Sequence, residues 1–127
     1  MPYRKVSGIV FHEDQKYVLV CIENGKYAPI KPENDIKLDY NPVIAMIKSF
    51  NDKFGKMMDC WDHVINYNEF DYFTISTNLI DINCDENHDI IHIDDLNNVD
   101  CVPELKWLVY MSLDINMRNK IINKKNI

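Results

Sequence analysis

Apolar and polar positions along the chain change period several times, and each change marks an element. Residues 5–11 (KVSGIVF) and 16–22 (KYVLVCI) are rich in β-branched and aromatic residues and flank the polar run His12-Glu13-Asp14-Gln15, which predicts an opening β-hairpin. Asn24-Gly25 joins the two residue types that most readily take positive φ, so it predicts a tight turn into a short third strand, Lys26 to Ile30. Pro29 and Pro32 oppose regular pairing, and residues 31–40 (KPENDIKLDY) are expected to form a loop. A helical period follows. Apolar residues at 43, 46, 47, 50 and 54 make one stripe, Asn41 can cap it, Pro42 suits its first position and Gly55 can close it, so a helix is predicted over 42–54. Residues 59–84 return to β-type composition, with breaks at Asn66-Tyr67-Asn68 and Thr77-Asn78, and predict two or three strands. His88 to Ile93 predicts another. Pro103 opens a second amphipathic helix, PELKWLVYMSLDIN, with Leu105, Leu108, Val109 and Leu113 on its buried side. The expected order is β-β-β-loop-α-β-β-β-α.

The 127 residues suffice for one core, and 46% hydrophobic with 27% charged residues excludes wholesale disorder. Fourteen Lys+Arg against twenty Asp+Glu give a net charge of −6, so any contact with nucleic acid or an anionic membrane must be local. No continuous apolar run, Trp107 to Met111 included, is long enough for a membrane span, and MPYRKVSG has no leader-like apolar core. A cytoplasmic protein without membrane contact is expected. Cys21, Cys60, Cys84 and Cys101 are unevenly spaced with no CxxC pair, which predicts reduced, buried thiols. Cys60-x2-His63 and Cys84-x3-His88-x3-His92 hold zinc-type residues without a paired anchor, and no metal is expected from them. No Ser or Cys is placed beside His12, His63, His88 or His92 in a way that marks a nucleophile and base. Fifteen Asn, 17 Ile and 12 Lys against 2 Ala and 3 Gly point to an AT-rich coding sequence, as in a virus, phage or AT-rich microbe; for a virus the compartment would be the host cytoplasm.

Ser7-Gly8-Ile9-Val10, Pro32, Pro42, Ala45 and the string ELKWLVYMSLD at 104–114, in the order above, resemble the Nudix hydrolase family at its first core strand, box entry and closing helix. The family box, G-x5-E-x7-R-E-U-x-E-E-x-G-U with U a bulky apolar residue, lays onto 34–56 in the register set by Gly55. Its first Gly then falls on Asn34, its first Glu on Tyr40, and its helical part on Lys48, Ser49, Phe50, Asn51, Asp52, Lys53, Phe54 and Gly55. The resemblance implies an α/β (α+β) fold, a mixed sheet between helices, with one Nudix-like domain over 1–117 and a basic tail over 118–127.

In that family the box glutamates at helix positions i, i+3 and i+4 share a face and hold Mg²⁺ beside a diphosphate. Here Ser49 and Lys53 take two of the three positions, and only Asp52 is a carboxylate. An ammonium where a dication should sit opposes metal binding. The leading reading is therefore a catalytically degenerate Nudix-like module that binds a nucleotide, RNA or protein partner and needs no cofactor. Its expected ligand-binding residues are Tyr27, Lys31, Asn34, Tyr40, Lys48 and Lys53, with the lysines meeting an anion and the tyrosines available to stack on a base. Trp61 is expected in the core. One alternative is an active hydrolase of nucleoside diphosphate derivatives, in which Asp35, Asp39 and Asp52 form a rearranged acidic site for Mg²⁺. The other is an acidic interaction or inhibitor protein. Residues 81–100 carry seven acids and no Lys or Arg, whereas 115–127 carry Arg118, Lys120, Lys124 and Lys125 and no acid. Asp85, Glu86, Asp89, Asp94 and Asp95 would then form a docking surface for a basic protein. The sequence sets no oligomeric state.

Overall fold

Side-chain alternation along strand β1 (Tyr3–His12) organises the computed structural model, which describes residues 3–32, 36–37, 41–58 and 60–125, with side chains over 5–32, 41–58 and 60–122. Val6 and Val10 enter the core beneath helix α1 (Pro42–Phe54), with Met46 and Phe50. Ile9 and Phe11 enter the opposite core beneath helix α2 (Leu105–Lys125), with Leu105, Leu108 and Val109. Strands β2 (Tyr17–Glu23), β3 (Lys26–Ala28), β4 (Ile36–Lys37), β5 (Asp62–Tyr67), β6 (Phe70–Thr77) and β7 (His88–His92) complete a seven-stranded sheet. Its main path runs β3-β2-β1-β6-β5, with β4 paired to β1 and β7 paired to β2. The sheet is mixed: β1 and β6 are parallel from Lys5↔Phe70 to His12↔Thr77, and the other strand pairs are antiparallel. This is the predicted α+β architecture, a mixed sheet between helices.

Local chemistry explains the element ends. Asn24 and Gly25 take φ of 51° and 77°, which closes the β2–β3 turn. The Asn41 side chain accepts from the Val43 backbone N–H at 2.9 Å, Pro42 fills the first turn, and Gly55 at φ 66° ends α1 by donating its N–H to the Asn51 carbonyl. Gly8 has a different role. A Cβ there would lie 2.7 Å from Met46 Cε and 3.1 Å from the Trp61 ring, so the missing side chain lets α1 and Trp61 settle on the sheet. Trp61 is buried as expected, donating Nε1–H to the Met58 carbonyl at 2.7 Å.

Several boundaries differ from the sequence reading. Residues 36–37 of the expected 31–40 loop add a two-residue strand to β1. The 59–84 region holds two strands, joined at Asn68-Glu69 with φ of 50° and 71°. A glutamate in the left-handed region is strained and its link to Lys5 is a loose, exposed 3.9 Å pair, so Glu69→Gly should stabilise the protein by about 0.5–1 kcal/mol, read as a raised denaturant midpoint. Helix α2 starts at Leu105, after a turn at Pro103-Glu104, and runs through Lys125, so 118–125 extend the helix where a tail was expected. Its buried stripe includes the polar Ser112 and Asn116; Asn116 donates to Thr74 Oγ1 at 3.1 Å, and that hydroxyl donates to the Ile9 carbonyl at 2.8 Å. Of the thiols expected to be buried, Cys60 and Cys84 are exposed and Cys101 is half-buried, because only Cys21 sits on a core-facing strand position. Among the described residues no helix is long and apolar enough to cross a membrane.

Candidate functional site

Strand ends and the last turn of α1 converge at one end of the sheet. There, Lys5 of β1, Cys21 and Glu23 of β2, Phe70 of β6, His88 of β7, Lys53 of α1 and Lys31 after β3 line a cleft of about 460 Å³. Strand parity places His88 and Cys21. On β7, Ile90 packs toward the α1 core, and His88, two residues earlier, shares that face. Cys21 is the register partner of His88, and Leu19, two residues before Cys21, also packs in the α1 core.

The electrostatics of the cleft are cationic. Three ammonium groups, those of Lys5, Lys31 and Lys53, face one lining carboxylate, Glu23. That carboxylate already takes both its oxygens to Lys31, at 3.0 and 3.1 Å. Lys31 and Lys5 also lie over the Phe70 ring, 5.1 and 5.6 Å from its centroid, where each gains from the ring's negative face. Burial, seconded by Glu23, pushes the Cys21 thiol up to about 11, so it is protonated at neutral pH and no nucleophile. His88 is buried, stands edge-on to Phe54 with centroids 5.3 Å apart, and holds Asp85 through Nδ1 at 2.7 Å. That hydrogen bond holds the Asp85 carboxyl below the ordinary carboxylate range.

Of the residues expected to bind ligand, Lys31 and Lys53 line this cleft. Lys48 does not: five residues from Lys53 on a helix turning 100° per residue, it sits about 140° round and is exposed. Tyr27 belongs to the other side of the sheet, packed toward the α2 core, with its hydroxyl donating to Asp89 at 2.8 Å. Asn34, Asp35, Asp39 and Tyr40 lie outside the described residues. Asp52 is exposed on α1 and is not a lining residue. Among the expected docking acids, Glu86, Asp94 and Asp95 are exposed, Asp85 is engaged by His88 and Asp89 by Tyr27. Lys5, Glu23 and His88 were missed as cleft residues. Alternation along β7 carried a signal for His88, whereas Lys5 joins Phe70 only through the parallel β1–β6 pairing, and Glu23 meets Lys31 only after the chain turns between β2 and β3.

Magnesium, the metal the fold resemblance implies, needs several oxygen ligands in near-octahedral array. The described cleft offers one carboxylate, committed to an ammonium, beside two further ammonium groups, and this donor set does not fit the ion. Among the described residues no group of three or more His, Cys, Asp or Glu side chains could hold a metal. The cleft can instead neutralise an anion and offer it hydrogen-bond donors.

No family model matches the sequence, and no curated protein matches it significantly. Solved structures do match. A NUDIX-family hydrolase from Clostridium perfringens superposes with a TM-score of 0.66 at 13% identity, covering 91% of this chain and 98% of that one. The NUDIX domain of Shewanella oneidensis NrtR, solved with ADP ribose, gives 0.64 at 12% identity over 90% and 88% of the two chains. An ADP-ribose pyrophosphatase from Streptococcus suis gives 0.61 at 14% identity over 91% and 92%. Agreement across nearly the whole length at such low identity is agreement of backbone, and by it this chain has the Nudix fold.

Proposed function

We propose that the chain is a Nudix-fold binding module that holds a small phosphorylated ligand of the nucleotide class by ammonium groups instead of hydrolysing it at a magnesium site. The observation that carries this reading is Lys53 lining the cleft with Lys5 and Lys31. In the box register set by Gly55, Lys53 stands where the family has a metal-binding glutamate, and Ser49 takes a second such position. A lysine there supplies in place the positive charge that the ion would supply, and a phosphate oxygen can meet it directly. The NrtR domain, solved with ADP ribose, is a relative in fold that takes such a ligand. The hydrolase reading calls on Asp35, Asp39 and Asp52 together; the first two lie outside the described residues, and Asp52 is exposed and does not line the cleft.

Calorimetry and a turnover assay test the proposal together. ADP or AMP should bind with the same affinity in excess EDTA as in magnesium, and neither Mg²⁺ nor Mn²⁺ should release phosphate or mononucleotide from ADP, ADP ribose or a dinucleoside polyphosphate. Turnover that vanishes on Asp52→Asn would place the protein with the hydrolases.

A further inference from the structure

Lysine ammonium groups hold an anion without fixing its orientation, because each is a mobile point charge. His88 differs. Its side chain is only 6% exposed, lines the same cleft, and is fixed by Phe54 on one side and by Asp85 on Nδ1 at 2.7 Å. Among the described residues Nε2 has no hydrogen-bond partner. The charged and titratable groups around the ring are Asp85 before β7, Asp89 on the opposite face of β7, Cys21 and Glu23 on β2, and Lys53 on α1. None of them is bonded to Nε2.

We infer that His88, held by Asp85, is a ligand-contacting group, and that through it the cleft selects a terminal phosphomonoester over a phosphodiester or an internal diphosphate. This inference rests on the binding-module reading. With Nδ1–H donated to the Asp85 carboxylate, Nε2 of a neutral ring is an acceptor and becomes a donor on taking a proton. A terminal phosphate has a proton to share, since its second ionisation lies at about pH 6. Either its P–OH donates to neutral Nε2, or the proton sits on Nε2 and is donated to the dianion; the same hydrogen bond forms in both cases. A diester or an internal diphosphate has no such proton near neutrality and cannot share one with the ring. The three ammonium groups act on all of these ligands, whereas the Nε2 contact tells them apart.

The test compares AMP with its methyl phosphodiester on the full chain by calorimetry at pH 7. AMP should bind more than about tenfold tighter, as expected for a charge-assisted hydrogen bond added to one more negative charge. His88→Gln should shrink that ratio severalfold with little change in diester affinity, and what remains of the ratio is the difference in ligand charge. Asp85 is largely exposed, so Asp85→Asn gives a variant with little risk to folding; it should shrink the ratio severalfold. In ¹⁵N spectra, Nε2 should shift with AMP and stay put with the diester. Ribose 5-phosphate and its methyl ester, run alongside, separate a nucleotide from a sugar phosphate as the source of the group. Equal binding of each monoester and its diester, or a ratio unmoved by both variants, overturns this inference alone. No binding of any of the four compounds overturns the binding-module reading and the inference with it.

Discussion

Gly8→Val should lower the melting temperature by about 10 °C, corresponding to about 2–3 kcal/mol for a chain of this size. The site is closed on three sides. Gly8 lies inside β1, pairs with Phe73 on parallel β6, and exchanges backbone hydrogen bonds with Ile30 at 2.8 and 3.1 Å, so its backbone cannot retreat. Above it, the first added carbon would stand 2.7 Å from Met46 Cε and 3.1 Å from the Trp61 ring. Met46 can swing its terminal methyl aside. Trp61 cannot move so freely, because its ring packs on Phe50 at 5.0 Å and its Nε1–H is tied to the Met58 carbonyl. Gly8→Ala should therefore cost less than Gly8→Val, and the alanine penalty should shrink when Met46→Ala is added. The pair then couples in a double-mutant cycle. An unchanged melting temperature for Gly8→Val would mean that α1 does not sit on the sheet at this distance.

The contrast between α1 and the cleft shows what a sequence can carry. Helix α1 was legible at residue level because its signals are local: Asn41, Pro42, the apolar stripe and Gly55 are set by chain geometry over thirteen residues, and each does what its type predicts. Asn24-Gly25 was legible for the same reason. The end of α2 was less so, since residues 117–122 bury little and their helical state is propagated from the packed first half. Ser112 and Asn116 were hidden by the expectation that a buried stripe is apolar, although their spacing from Leu105, Leu108 and Val109 keeps to one helical face. The cleft was half legible. Lys31 and Lys53 could be picked out through the family resemblance, but Lys5, Glu23 and His88 arrive from three different strands, and register between distant strands is written in no local pattern. Tyr27 and Lys48 show the reverse limit. Each is chemically suited to the ligand, and each is placed away from the cleft by periodicity, across the sheet in one case and around the helix in the other.

Lys53→Glu should weaken AMP or ADP binding by about tenfold to a hundredfold, which is about 1.4–2.7 kcal/mol. The charge at one position in the cleft changes by two units, and a half-buried pair near 4 Å interacts by several kcal/mol before salt and residual solvent reduce it. Part of any loss could come from the helix, because Lys53 stands in the last turn of α1, where a cation is favoured and an anion costs about 0.3–1 kcal/mol. Melting curves quantify that share, and it should leave the protein folded at the assay temperature. Lys48→Glu makes the control: the net charge changes equally, but the side chain is exposed and outside the cleft, so at 0.1 M salt its effect on affinity should stay below about twofold. Neutralising Asp94 and Asp95, exposed in the Ile93–Asn97 turn, should likewise leave nucleotide affinity unchanged. Equal losses for Lys53→Glu and Lys48→Glu would show that the ligand answers to the charge of the whole molecule, and a net charge of −6 could not then account for capturing an anion.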